Sequence, residues 1–375
     1  MAGRDDVIEH IDVALDRIRA GRHAKHHMLI GLRGVGKTVL LDRLHRRAAD
    51  RGFASVKIEA PEGAPLPALL VPQLRSALLR LDRGKAALAG ARKALGALRN
   101  FASAFKLKFG ELEASVEPGE AGVADSGDLD HDLAQLLDAV GVAAAERETA
   151  FTLFIDEVQY LRERELGALI GAFHRASQSE RHVALIGVGL PQITGLMGDA
   201  KSYSERMFRF ETIGPLTSAD AAAAIERPAA AQGIAWDAAA VDAVITITRG
   251  YPYFLQEWAS QAWSAAESSP ITAENVKAAT PAAIAELDAS FFRVRLDRLS
   301  PKERDYLSAI AKLGDSGARS ADVAAAMGRS LASVAPLRDA LVKKGMIYSP
   351  IYGSIDFTVP LFGDFLRRAL PSRSE

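Results

Sequence analysis

Eight consecutive residues constrain this chain more than any others: Gly31-Leu32-Arg33-Gly34-Val35-Gly36-Lys37-Thr38. They satisfy the pattern G-x-x-x-x-G-K-[ST] at every position. The run His27-Met28-Leu29-Ile30 precedes them and reads as a short buried strand, and Val39-Leu40-Leu41-Asp42-Arg43-Leu44 follows and reads as helix. Strand, loop and helix in that order is the context in which the pattern acquires physical meaning. Three glycines let the loop fold back so that backbone N–H groups converge on phosphate oxygens. The helix N-terminus adds partial positive charge. Lys37 then supplies a mobile cation for the β- and γ-phosphates of a nucleotide, and the Thr38 hydroxyl is placed to ligate Mg²⁺. Gly31 to Thr38, with Val39 opening the helix, are the expected nucleotide contacts.

A second anchor lies downstream in Phe151-Thr152-Leu153-Phe154-Ile155-Asp156-Glu157. The apolar run reads as a parallel strand buried on both faces. Its two carboxylates fall at the strand's C-terminal end, where open α/β sheets bind ligands. Asp156 is placed to hold the Mg²⁺ shell. Glu157, one residue on, is placed to polarise an attacking water. An apolar run ending in Asp-Glu says little alone; behind a phosphate loop it completes one site.

Composition excludes several alternatives. The 375 residues contain no cysteine, which removes disulfides, thiolate metal sites and cysteine nucleophiles. Net charge is −1, so nucleic-acid contact requires a local patch. Met1-Ala2-Gly3-Arg4-Asp5-Asp6 carries no apolar signal core. No uninterrupted apolar stretch is long enough to span a bilayer. The expectation is a cytoplasmic protein with no membrane partner.

Strands at 53–58, 151–155, 182–189 and 208–213 alternate with helical patterns, which predicts an α/β core with a doubly wound parallel sheet. His23, His26 and His27 read as a polar turn entering the first strand. Residues 61–150 form an insertion, with helices at 69–81, 85–100 and 129–147. Within it, 105–116 alternates with period two around Gly110 and predicts a hairpin, either a solvated edge or a contact surface for another subunit. Gly214-Pro215-Leu216-Thr217 marks a boundary, with Thr217 or Ser218 capping the next helix. Trp258 and Trp263 read as core. The expected domains are a core at 1–215, a helical lid at 216–290 and a last domain at 291–375.

That last domain reads as helix, helix, helix, hairpin, the order of a winged helix-turn-helix. Pro336 fits its third helix if Ser333 caps it and the proline lies in the first turn. From residue 291 on there are 14 Lys and Arg against 9 Asp and Glu, a net of +5. Arg329, Arg338, Lys343 and Lys344 are expected along the third helix and its ends, where they would meet the phosphates of duplex DNA. A winged helix used for protein contacts is the alternative.

With these residues in view, the chain resembles P-loop ATPases of the AAA+ type, on the branch shared by origin-recognition initiators, archaeal-type ATPases and STAND switch proteins. The resemblance rests on Gly3-Arg4-Asp5, the phosphate loop, Asp156-Glu157, Gly189-Leu190-Pro191, Ser204-Glu205-Arg206, Gly250-Tyr251-Pro252-Tyr253-Phe254-Leu255-Gln256 and the C-terminal domain. It implies that Gly3-Arg4 lies near adenine and that Pro252 belongs to the lid element packing on the base. It implies that Arg206, just before the fifth strand, is an arginine finger reaching a neighbouring subunit of a homo-oligomer. It implies ATP and Mg²⁺ held between core and lid, with DNA association as the output. The alternative is a STAND-like nucleotide switch contacting protein partners in a signalling or defence complex. Two departures stand out. The end of the fourth strand, Gly187-Val188-Gly189-Leu190, offers no polar sensor of the γ-phosphate except Gln192. Tyr253 also stands where initiators carry a lid arginine. Both imply slow turnover or a nucleotide-held switch.

Overall fold

A computed structural model describes residues 1–82, 89–107, 116–314, 317–351 and 353–370. It comprises two compact units: residues 4–31 with 37–213, and residues 1–3 and 32–36 with 214–375.

The first unit runs α1 (Asp5–Arg19), β1 (His26–Ile30), α2 (Lys37–Asp50), β2 (Ala54–Glu59), α3 (Leu66–Asp82), α4 (Ala89–Ala104), α5 (Leu129–Glu146), β3 (Phe151–Asp156), α6 (Glu163–Gln178), β4 (Val183–Gly189), α7 (Ile193–Ala200), α8 (Ser204–Met207) and β5 (Phe208–Thr212). The strands form one parallel sheet in the order β2-β3-β4-β1-β5. Every residue of β1, β3 and β4 is buried. That is why these strands are apolar without alternation: helices cover both faces of a parallel sheet. The edge strand β2 is buried only in part, at Ser55, Val56 and Ile58. The doubly wound parallel sheet is as expected. It brings the C-terminal ends of β1, β3 and β4 side by side, with Ile30 opposite Gly189 and Ile155 opposite Gly187.

The histidines differ from expectation. His26 and His27 belong to β1 and are 2% and 3% exposed. His26 is accommodated because its ring has partners: Leu185 N donates to Nδ1 at 3.3 Å, Ser177 Oγ lies 3.3 Å from Nε2, and Phe173 packs edge-on. In the insertion, α4 runs on to Ala104, past the expected end at 100, while the expected start at 85–88 and most of the expected hairpin at 105–116 fall outside the described residues. Gly96 lets the chain pass close, since a Cβ there would fall 2.8 Å from Gly119 Cα.

The second unit begins with helices α9 (Ser218–Ala230), α10 (Ala238–Thr248), α11 (Pro252–Ala265) and α12 (Ala273–Glu286). A π-helical turn, Leu287–Phe292, leads into α13 (Arg293–Asp297). Then follow α14 (Pro301–Leu313), β6 (Ala318–Arg319), α15 (Ser320–Ala326), α16 (Leu331–Lys343), β7 (Ile347–Tyr348), β8 (Ser354–Phe357) and α17 (Phe362–Ala369). The three short strands pair antiparallel in the order β6-β8-β7. Thr217 caps α9 by accepting from Asp220 N, and Ser300 and Glu303 form a capping box on α14. An aromatic chain binds this unit together: Tyr253 stacks on Phe291 at 4.5 Å, and Phe292 stacks on Phe365 at 5.2 Å.

Two expectations in this unit need correction. Ser330, not Ser333, caps α16, so Pro336 sits in the second turn. The proline deprives only the Ala332 carbonyl of its helical donor, and Ala332 is exposed, so water satisfies it. Trp258 is core at 1% exposure, but Trp263 is 40% exposed.

Candidate nucleotide site

In the first unit, Gly31 leaves the end of β1 with its N–H on Gly189 O at 3.2 Å. Lys37 and Thr38 open α2, and Lys37 Nζ lies 2.9 Å from Gly31 O. The lysine is thereby folded back onto Gly31. Thr38 hydrogen-bonds through its hydroxyl to the carboxylate of Asp156, the last residue of β3, which is 4% exposed. Burial holds the Asp156 carboxyl above its ordinary range, and the neighbouring Glu157 charge adds to the rise, while the Thr38 hydroxyl works against it. Glu157 stands in the left-handed region, φ 55°, with its N–H on Asp156 Oδ1 at 2.9 Å. That kink follows directly on the last residue of the strand. Thr38 and Asp156 are hard oxygen donors already paired, a set that fits Mg²⁺. Val39 is 58% exposed on α2. Arg206 is exposed in α8, directly before β5.

The rest of the loop, Leu32 to Gly36, belongs to the second unit. Gly34 and Gly36 take φ of 84° and 86°, which only glycine adopts without strain. These are the conformations that turn successive N–H groups toward one point, so the loop fits a phosphate chain. Val35 is buried. Gly34 O accepts from Tyr253 N at 3.2 Å, one residue past Pro252, which opens α11. Tyr253, in the place of a lid arginine, thus meets the loop through its backbone. Arg33 makes two bonds to the C-terminal elements: its N–H donates to Thr358 O at 3.0 Å and its Nε to Gly345 O at 3.3 Å. Gly3 has φ 64° and lies against Asp220, whose Oδ2 would be 2.7 Å from a Cβ at that position. Arg4 is buried.

Gln159 is the residue that sequence reading missed. It lies in a 3-10 turn, Val158–Tyr160, just after Glu157. Its Nε2 donates to Glu157 Oε2 and its Oε1 accepts from Leu190 N at 3.1 Å. The end of β4 does carry a polar side chain, supplied from the neighbouring strand's turn. The spacing Asp-Glu-x-Gln was the available signal.

The basic residues expected along α16 separate in the structure. Lys344 Nζ bonds Glu303 at 2.8 Å. Arg338 Nη2 donates to Ser349 Oγ at 3.0 Å, and its Nη1 lies 3.9 Å from Asp339. Arg329 and Lys343 are exposed, as are Leu331, Pro336 and Ile351.

Residues 1–186 match the family model described as AAA ATPase domain, and residues 289–366 match a domain of unknown function. No curated protein matches the chain. Among solved structures, a Walker-type ATPase of Pyrococcus abyssi superposes with TM-score 0.65 at 16% identity, covering 98% of this chain and 96% of that one. The Orc1 protein of Aeropyrum pernix in complex with DNA gives 0.48 at 14% identity, over 98% and 93%. The RuvB Holliday junction branch migration motor of Thermotoga maritima gives 0.47 at 15%, over 95% and 92%. The first of these carries the fold comparison. The family match shows an AAA ATPase domain at residues 1–186, the stretch that holds the phosphate loop and Asp156-Glu157.

Proposed function

We propose that this chain is an ATP-driven switch: it binds ATP with Mg²⁺, hydrolyses it slowly, and uses the nucleotide state to set what its C-terminal domain does. In this reading residues 1–215 are the ATPase core, 216–290 the lid and 291–375 a winged helix. Gly31 to Thr38 hold the phosphates through backbone N–H groups, Lys37 neutralises charge on the transferred group, and Thr38 and Asp156 hold Mg²⁺. Glu157 orients the attacking water. Arg206, exposed before β5, is the group offered to a second copy in a homo-oligomer. The setting is cytoplasmic.

The observation that carries the coupling is Arg33. A phosphate-loop residue donates both a backbone and a side-chain hydrogen bond to carbonyls of the C-terminal domain, Thr358 and Gly345. A loop that reshapes around phosphate cannot leave those two carbonyls undisturbed. Amide hydrogen exchange across 345–358, compared empty, with ADP and with ATP, tests this. Protection that changes with nucleotide, and ceases to change in Arg33→Ala, supports the coupling; identical protection in all states refutes it.

Duplex DNA is the first reading of the output, supported by the +5 charge of residues 291–375 and by exposed Arg329 and Lys343. A protein partner is the second, favoured by one observation: Lys344 and Arg338 are engaged within the domain, while apolar Leu331, Pro336 and Ile351 are exposed. DNA binding whose logarithm falls with log salt by about 0.9 per phosphate contact supports the first. Absence of that dependence, with binding indifferent to Lys343→Glu and Arg329→Glu, supports the second.

A further inference from the structure

The geometry points to Gln159 as a positioning residue that ties the Glu157 carboxylate to the end of β4. This inference rests on the ATPase reading above and adds a residue to it. Its starting point is the apparent gap at the end of the fourth strand, where Gly189 and Leu190 offer no side chain to report on nucleotide.

Gln159 fills that gap. A Cβ on Gly189 would fall 2.9 Å from Gln159 Oε1, so the glycine leaves room for the amide. The amide's orientation is fixed by chemistry. Leu190 N–H is a donor only, so the atom facing it at 3.1 Å is the carbonyl oxygen. The NH₂ group therefore points the other way, and it donates to Glu157 Oε2. One side chain thus holds a backbone amide at one end and a carboxylate at the other.

The chain of bonds continues beyond Leu190. Gly189 O accepts from Gly31 N at 3.2 Å, and Gly31 O accepts from Lys37 Nζ at 2.9 Å. Lys37, Gly31, the Gly189–Leu190 step, Gln159 and Glu157 form one continuous path within the first unit. Its two ends are the residue that meets the nucleotide's phosphates and the residue that orients water. When Lys37 leaves Gly31 O for a phosphate, the first glycine and the β4 end beside it readjust, and Gln159 carries that readjustment to Glu157. A carboxylate that must polarise water within hydrogen-bond reach is sensitive to such placement. Glu157 is held at the start of a 3-10 turn in the left-handed region, and Gln159 supplies the side-chain partner that fixes which way its carboxylate faces.

Two substitutions separate the ends of this link. Gln159→Glu keeps an oxygen acceptor for Leu190 N–H but removes the donor to Glu157 and sets a second carboxylate beside it. Gln159→Leu removes both ends. Steady-state turnover is measured beside ATP affinity, and hydrogen exchange at Leu190 N–H reads the anchor without turnover. Both variants are expected to lose about tenfold or more in kcat, with KM for ATP and ATP affinity within about twofold of wild type. Leu190 N–H is expected to stay protected in Gln159→Glu and to exchange faster in Gln159→Leu. Wild-type kcat in Gln159→Glu overturns the positioning role and leaves Gln159 as a backbone anchor. Failure of the ATPase reading looks different: it appears in the wild-type protein, as turnover unaffected by Lys37→Ala.

Discussion

Lys344 Nζ lies 2.8 Å from the carboxylate of Glu303, a side chain only 6% exposed at the start of α14. Burial alone would raise the Glu303 carboxyl, but the Lys344 ammonium and the Ser300 hydrogen bonds outweigh it and hold the group below its ordinary range. A depressed folded-state value contributes stability at pH above the unfolded carboxylate's pKa of about 4, and that contribution is lost as pH falls through the folded value. Lys344→Ala is expected to destabilise the second unit by roughly 1–2 kcal/mol at neutral pH, discounted for the half-exposed lysine, and to flatten this acid-side loss. Urea unfolding from pH 3 to 7 checks both. One consequence bears on DNA binding. Lys344→Glu confounds folding with recognition, and Lys343 and Arg329 are the informative positions.

His26 predicts a second acid dependence of opposite chemistry. Burial, which penalises the charged ring, drives it down to about 3, with the neighbouring His27 and His23 adding to the fall. The unfolded chain takes up this proton first, so stability falls as pH drops below about 6.5, at about 1.4 kcal/mol per pH unit down to the folded value. His26→Leu should remove that slope while keeping β1 buried. An unchanged slope, read by thermal unfolding in buffers from pH 4 to 7, contradicts the assignment.

Asp156 predicts how Mg²⁺·nucleotide affinity depends on pH. Its carboxyl is raised by burial first and by the Glu157 charge second, so it takes up a proton at a higher pH than an ordinary aspartate. Metal ligation requires the ionised form. Affinity for Mg²⁺·ATP should therefore weaken as pH falls, starting above the usual aspartate range, while metal-free ATP shows less dependence. Calorimetric titration with and without Mg²⁺ distinguishes the two. Asp156→Asn should abolish the difference.

The parts of this protein legible in sequence are those where local pattern and chemistry coincide. The phosphate loop combines glycines, a lysine and a helix start at fixed spacing. Strand β3 announces itself as apolar residues ending in two carboxylates. Contacts between residues distant in sequence were not legible. Gln159 looks like a polar turn residue until the sheet places Leu190 beside it. Arg33 occupies a position that the motif leaves free, and only the folded chain brings Gly345 and Thr358 to it. His26 and His27 read as a polar turn entering the strand because nothing local shows that Glu211, Leu185 and Ser177 will satisfy them inside it. Pro336 misled in the other direction: a rule about helix starts yielded to a helix able to leave one exposed carbonyl to water.

ATP binding and turnover by wild type, Lys37→Ala and Glu157→Gln test whether Lys37 and Glu157 make this chain an ATPase. Slow wild-type turnover is expected, with loss of ATP binding in Lys37→Ala, and retained binding with turnover reduced by about a hundredfold or more in Glu157→Gln. ATP bound equally well by Lys37→Ala, or turnover untouched by either change, would contradict it.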